Sequence, residues 1–281
     1  MTAERIRKAV VAGQFYEGDK QALIQQIEEC YTRDRGPGAF PKVNPDGPRE
    51  IIGLMCPHAG YQFSGPCAAY AYKSLAADGI PEVVIIIGPS HRSPQPTIQT
   101  SGAWRTPLGD ALIDEAVASS IASNLGSFYD DPGGFAGEHS LEVQLPFLQH
   151  LYSDDLRIVP LMMVGQAAGD ARRVADAISE ATADRDAVIV ASSDMTHFTS
   201  PEVAREQDFT LIERIEDLDP DGLIQQRKVR DISMCGAGPT AAMLHVAKGW
   251  GASSAELLNY AHSGEVHPSA SVVGYASVVV R

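Results

Sequence analysis

Cysteine is scarce in this chain of 281 residues: four are present, at 30, 56, 67 and 235, and none form a CxxC pair. That excludes a disulfide scaffold and a zinc-ribbon framework. Basic charge is scarce too, with 22 Lys and Arg against 36 Asp and Glu, a formal charge of −14. Nucleic acids and anionic membranes both select a basic footprint, so neither is an expected partner. The acidic residues are dispersed and read as a solvated surface. No apolar run approaches the about 20 residues of a membrane span. The patch Ala9–Ala12 behind Met1–Lys8 is too short for a secretory leader, so a cytoplasmic protein with reduced thiols is expected. There is no Walker lysine motif, no full GxGxxG and no HExxH; Gly236-Ala237-Gly238 alone is a weak phosphate signal.

What is present is an apolar fraction of 44%, enough for one large core. Three apolar runs rich in β-branched residues stand out: Ile51–Cys56, Val83–Gly88 and Ala187–Ala191. Such runs suit strands covered on both faces, as in a parallel sheet. Helical patterns are predicted near 19–32, 65–77, 111–125, 139–152, 168–183, 201–217, 219–227 and 238–249. Asp19 is the predicted N-cap of the first, and Ser64 of the second. Further strands are predicted at Arg157–Met163, 255–262 and 270–280. Residues 34–49 and 104–110 read as irregular. The alternation predicts an α/β fold: a single domain over 1–281, with a mostly parallel twisted central sheet and helices on both faces.

Each of the three apolar runs ends in a polar tip. Pro57-His58-Ala59-Gly60-Tyr61 follows the first, Pro89-Ser90-His91-Arg92 the second, and Ser192-Ser193-Asp194-Met195-Thr196-His197 the third. Ligands of open α/β sheets bind outside the carboxyl ends of the strands, so His58, His91, Asp194 and His197 are expected on one rim. That is the composition of a metal site. Ser192–Asp194 could equally be a helix-capping cluster. Cys235 precedes a predicted helix whose dipole would lower its thiol pKa and make it a soft metal ligand; the alternative is an inert buried cysteine. Cys56 and Cys67 read as inert and buried. His139 and Glu142 lie three apart on a predicted helix face, as an acid–base pair or as part of a capping pattern.

These residues carry a resemblance over nearly the whole chain. Ala12–Tyr16, Pro57–Tyr61 with Ser64-Gly65, Gly88–His91, Thr106–Gly109, Glu138–Glu142, Ser192–Asp194, Ser263-Gly264 and Gly274-Tyr275 together resemble the Memo family, protein B of the AmmeMemoRadiSam set. The resemblance implies a fold similar to the class III extradiol dioxygenases, which are non-haem iron(II) enzymes. It implies metal ligands at His58, His91 and Cys235, with His139, Asp194 and His197 around the site as catalytic candidates. Iron(II) or copper is the implied metal, with zinc as an alternative, and a redox or oxygenase reaction on a small molecule the implied activity. A thiolate in place of the dioxygenase carboxylate softens the site, and Asp194 on the same rim is the alternative third ligand. Two other readings stand beside this one: a non-catalytic metal- or peptide-binding scaffold, and a zinc-dependent hydrolase. Radical-SAM and AMMECR-type proteins are the implied partners.

Overall fold

The three apolar runs do become strands, and their order in the sheet is what builds the site. The structure, a computed structural model, describes residues 5–281. In chain order its elements are β1 (Ile6–Lys8), α1 (Lys20–Thr32), β2 (Gly53–Cys56), α2 (Tyr61–Asp78), β3 (Val83–Pro89), β4 (Thr97–Ile98), β5 (Ala103–Thr106) and β6 (Gly109–Ile113). There follow α3 (Glu115–Leu125), α4 (Leu145–Tyr152), β7 (Arg157–Met163), α5 (Ala168–Ala181), β8 (Ala187–Ser192), β9 (His197–Thr199) and α6 (Pro201–Glu216). The chain ends with α7 (Pro220–Val229), α8 (Ala237–Gly249), β10 (Ala255–His262) and β11 (Val272–Val280).

The sheet runs β1-β5-β6-β7-β3-β8-β2-β11-β10, with β4 beside β7 and β9 beside β11. Its centre, β6-β7-β3-β8-β2, is parallel throughout. Antiparallel pairs close the flanks, at β5–β6 on one side and β2–β11–β10 on the other. Val83–Ile87 and Val188–Ala191 are wholly buried, as a sheet covered on both faces requires. Each Ile or Val so buried contributes roughly 1.5–3 kcal/mol. One helical layer holds α1, α2 and α4; the other holds α3, α5, α7 and α8. β2 and β3, which carry His58 and His91, are not neighbours. β8 lies between them, paired with both.

Several boundaries differ from the sequence expectation, each for a local reason. α1 starts as predicted, with Asp19 accepting from the N–H groups of Gln21 and Ala22. α2 starts one turn before the predicted 65, at Tyr61 behind Gly60. Pro66 mimics a first-turn proline, and Ser64 is no cap: its hydroxyl donates to the Ala59 carbonyl at 2.9 Å. The stretch 104–110 is not irregular but a hairpin, with Trp104 opposite Ala111 and Thr106 opposite Gly109. Consequently 111–113 are strand, and α3 waits for its Asp114 cap.

The predicted helix at 139–152 is also shorter. Its regular part is α4, preceded by one 3-10 turn at Glu142–Gln144. His139 and Glu142 therefore do not share a helix face. Glu142 instead is fully buried and paired with Arg7. It also accepts from the Val10 and Val11 N–H groups, at 2.9 and 3.0 Å, and from the Tyr16 hydroxyl at 2.7 Å. One carboxylate thus ties the 7–16 segment to the body of the protein. Glu142→Gln leaves a buried guanidinium without its counter-charge and should cost about 3–5 kcal/mol. Urea unfolding at neutral pH checks this as a fall in midpoint at unchanged slope.

Candidate metal centre

Because β2, β8 and β3 are parallel neighbours, their carboxyl ends share one rim. His58 follows β2, His91 follows β3, and His139 comes from the loop before α4. One ring nitrogen from each of the three lies within 4.8 Å of the other two; among the described residues this is the group able to hold a metal ion. The ring centroids are 5.2 Å apart for His58–His91, 5.4 Å for His58–His139 and 4.7 Å for His91–His139.

The orientation of His58 follows from its hydrogen bonds. The Pro57 carbonyl can only accept, so Gln144 turns its amide nitrogen to it at 3.0 Å. The second amide hydrogen goes to Ser192 Oγ at 2.8 Å, and Gln144 Oε1 accepts from the Tyr72 hydroxyl at 2.6 Å. The single Ser192 hydrogen is donated to the Ser140 carbonyl at 2.7 Å. Ser192 then has only lone pairs for His58 Nδ1, 2.8 Å away, so that nitrogen is the N–H. Nε2 of His58 is left bare, pointing at the cluster.

Glu138 does the same for His91. It is 1% exposed and accepts the His91 ring Nδ1–H at 3.0 Å and the His91 backbone N–H at 2.6 Å. The N–H groups of His139 and Ser140 add bonds of 2.9 and 2.8 Å. Burial opposes ionisation of this carboxyl, but the bonds from the His91 ring and the His91 and Ser140 backbone outweigh it and hold it far below the usual carboxylate range. A histidine with its Nδ1–H on a carboxylate presents Nε2 to a metal in a fixed direction. His139 has no such bond; its Nδ1 is 3.6 Å from Glu138. Its ring is tilted against Phe15, centroid to centroid 4.9 Å. Burial, then the neighbouring His91, pushes its pKa down to about 4, with Arg92 adding to the effect. His58 is also held well below its ordinary value, first by burial and then by the other two histidines.

Cys235 comes to the His58 side of the cluster, with Sγ 3.3 Å from His58 Nε2. Asp194 N–H donates to the same sulfur at 3.3 Å. Contrary to the helix-dipole expectation, burial and then the Asp194 carboxylate push this thiol well up from its ordinary value. Cys235 lies outside α8, which begins at Ala237, so the helix offers it little. Cys56 and Cys67 are buried as expected, and burial lifts the Cys67 thiol to about 12.

Ser192–Asp194 caps no helix. Asp194 Oδ1 accepts the His58 backbone N–H at 2.7 Å, and burial pushes its pKa up to about 6. His197 lies in β9 with its Nδ1 donating to the Ser233 carbonyl at 3.1 Å. The rim therefore brings together His58, His91, His139 and Cys235, with Asp194 and His197 bracing the segments behind them. Glu138, Gln144 and Ser192 were given no supporting role by the sequence reading. Their polarity at strand and loop ends was visible, but their pairing needs the sheet order.

Ser192→Ala removes the acceptor that fixes His58 and strands the Ser140 carbonyl. The expected cost is about 1–3 kcal/mol. Histidine ¹⁵N spectra should show His58 as the pure Nδ1–H form in the parent and as a tautomer mixture in the variant.

The family model for Memo-like protein matches residues 7–279. A MEMO1 family protein of Methanopyrus kandleri is 46% identical, covering 98% of this chain and 99% of its own. One from Ignicoccus hospitalis is 42% identical, with coverage of 97% and 98%. One from Methanothermobacter thermautotrophicus is 41% identical, with coverage of 96% and 99%. Among solved structures, an uncharacterized protein from Escherichia coli K12 shares the fold, with a TM-score of 0.57 at 12% identity over 82% of this chain and 99% of that one. With its histidine-bearing rim and a family match over almost its full length, the chain belongs to the Memo-like family.

Proposed function

We propose that this protein binds one transition-metal ion at the His58–His91–His139 cluster, with Cys235 as a fourth donor. The observation that carries the reading is the convergence of three ring nitrogens within 4.8 Å. Two of the rings have their other nitrogen bound to Ser192 or Glu138. Metal–imidazole bonds are about 2.0–2.1 Å, so donors on one ion sit about 3.3 Å apart in a tetrahedral set. Binding would draw these donors closer, and the His139 ring has no hydrogen bond to oppose it. Imidazole with thiolate favours iron, copper or zinc over hard cations. Bound there, iron or copper supplies electron-transfer chemistry and zinc supplies Lewis acidity.

Iron(II) or copper, with a redox or oxygenase reaction on a small molecule, remains the favoured assignment from the family resemblance. A second ligand set has its own support. His139 is the one cluster histidine whose ring lacks a hydrogen-bonded anchor, while Cys235 already touches His58 Nε2. In that arrangement His58, His91 and Cys235 hold the ion. His139 is then free to take and return a substrate proton, with Asp194 and His197 as further candidates on the His58 side of the rim.

Metal content after anaerobic purification tests both. His58→Ala and His91→Ala should abolish binding, and Glu138→Gln should weaken it about 10–100-fold. A parent protein that holds no iron, copper or zinc overturns the reading. His139→Ala and Cys235→Ser separate the ligand sets: a true ligand lowers affinity when removed, whereas a proton carrier lowers only turnover. Oxygen uptake with a catechol panel reads that turnover. Metal without uptake favours the binding scaffold, and tightly held zinc favours hydrolysis.

A further inference from the structure

The cluster has a closed side and an open side. Side-chain exposure is 19% at His139 and 30% at His91, whereas His58 is 1% exposed as a residue. Entry is therefore from the side of His91, and the next residue there is Arg92, which is exposed. Its stem runs beside Gly137, where an added Cβ would meet Arg92 Cγ at 3.8 Å. Gly137 directly precedes Glu138 and His139, so Arg92 stands over the loop that supplies the third imidazole. The backbone under it is a fixed turn: Ser90 Oγ donates to the Ser93 carbonyl at 2.6 Å and accepts the Ser93 N–H at 3.0 Å.

In a chain this acidic, arginines commonly find a carboxylate, as Arg5 does in Asp130, Arg7 in Glu142 and Arg185 in Asp114. Among the described residues, no ion pair or hydrogen bond engages the Arg92 guanidinium. The carboxylate behind its loop is Glu138, and its two oxygens are already occupied by four N–H donors. It does not compete for Arg92. The result is an unengaged five-donor fork on the exposed residue next to His91, its stem beside the loop of His139, on a protein whose net charge of −14 disfavours anions elsewhere.

We propose that Arg92 is an oxyanion-recognition residue, and that the molecule entering the histidine cluster carries a carboxylate or phosphate group. This rests on the cluster being the functional site, but not on which metal it holds. Guanidinium forks bind both groups in bidentate fashion, and lysine reproduces the charge without the fork.

The test is calorimetric titration of the protein as purified with benzoate, phenylphosphate and benzyl alcohol. The two anions should bind more tightly than the alcohol. Arg92→Ala should weaken both anions about 10-fold or more, with Arg92→Lys in between. The preferred anion tells carboxylate from phosphate. Anion affinity unchanged in Arg92→Ala, absent in the parent, or matched by benzyl alcohol overturns the proposal. So does loss of bound metal in Arg92→Ala, which would place Arg92 in the architecture of the cluster instead. Arg92-dependent anion binding by a parent that holds no metal would leave this proposal standing while the metal reading fell.

Discussion

A buried carboxylate must be met by donors, and in this protein that requirement organises the site. Glu138 is out of water and ionised, so four N–H groups have to face it. Two come from His91 and two from the chain immediately after Glu138. Satisfying one anion therefore fixes the tip after β3, the ring plane of His91 and the path of the His139 loop in a single step. Glu142, one turn further, repeats the device toward the other end of the chain. Through it the 10–16 segment is seated so that Phe15 lies on His139 and the Phe15 carbonyl receives the Tyr61 N–H at 2.7 Å. Loop geometry that looks irregular is thus heavily determined.

The two anchored histidines differ in how they are held. His91 leans on a charge, His58 on a neutral relay from Tyr72 through Gln144 and Ser192. A ring paired with a carboxylate is the more basic donor; one paired with a hydroxyl is the weaker. The His139 ring has neither and rests against Phe15. Three chemically identical side chains are thereby made unequal by what stands behind them.

Much of this was legible in the sequence. Long β-branched runs betray doubly covered strands, and such strands put their carboxyl ends on one rim, so the sequence alone places His58 and His91 there. What pattern reading misses is order and partnership. Nothing local in Ala187–Ser192 says that it inserts between β2 and β3. Only that insertion brings Ser192 under His58. Glu138 and Glu142 look alike as acidic residues near a helix start, yet one serves a histidine and the other a buried arginine. The hairpin at 103–113 was hidden because a strand of five residues beside a helix start reads as more helix. Cys235 was expected to be acidic from its place before a helix, but desolvation outweighs a dipole that begins two residues later.

The central position of β8 also sets when the site can exist. β2 and β3 leave the ribosome early, but each finds a hydrogen-bonding partner in a strand made much later, and β2 needs β11 as well. Pairings between distant stretches form late because the loop must close before the contact repays it. Until then His58 and His91 sit on strands with no defined separation. The nascent chain therefore carries the histidines of the cluster without their mutual geometry, and that geometry arrives with the completed sheet.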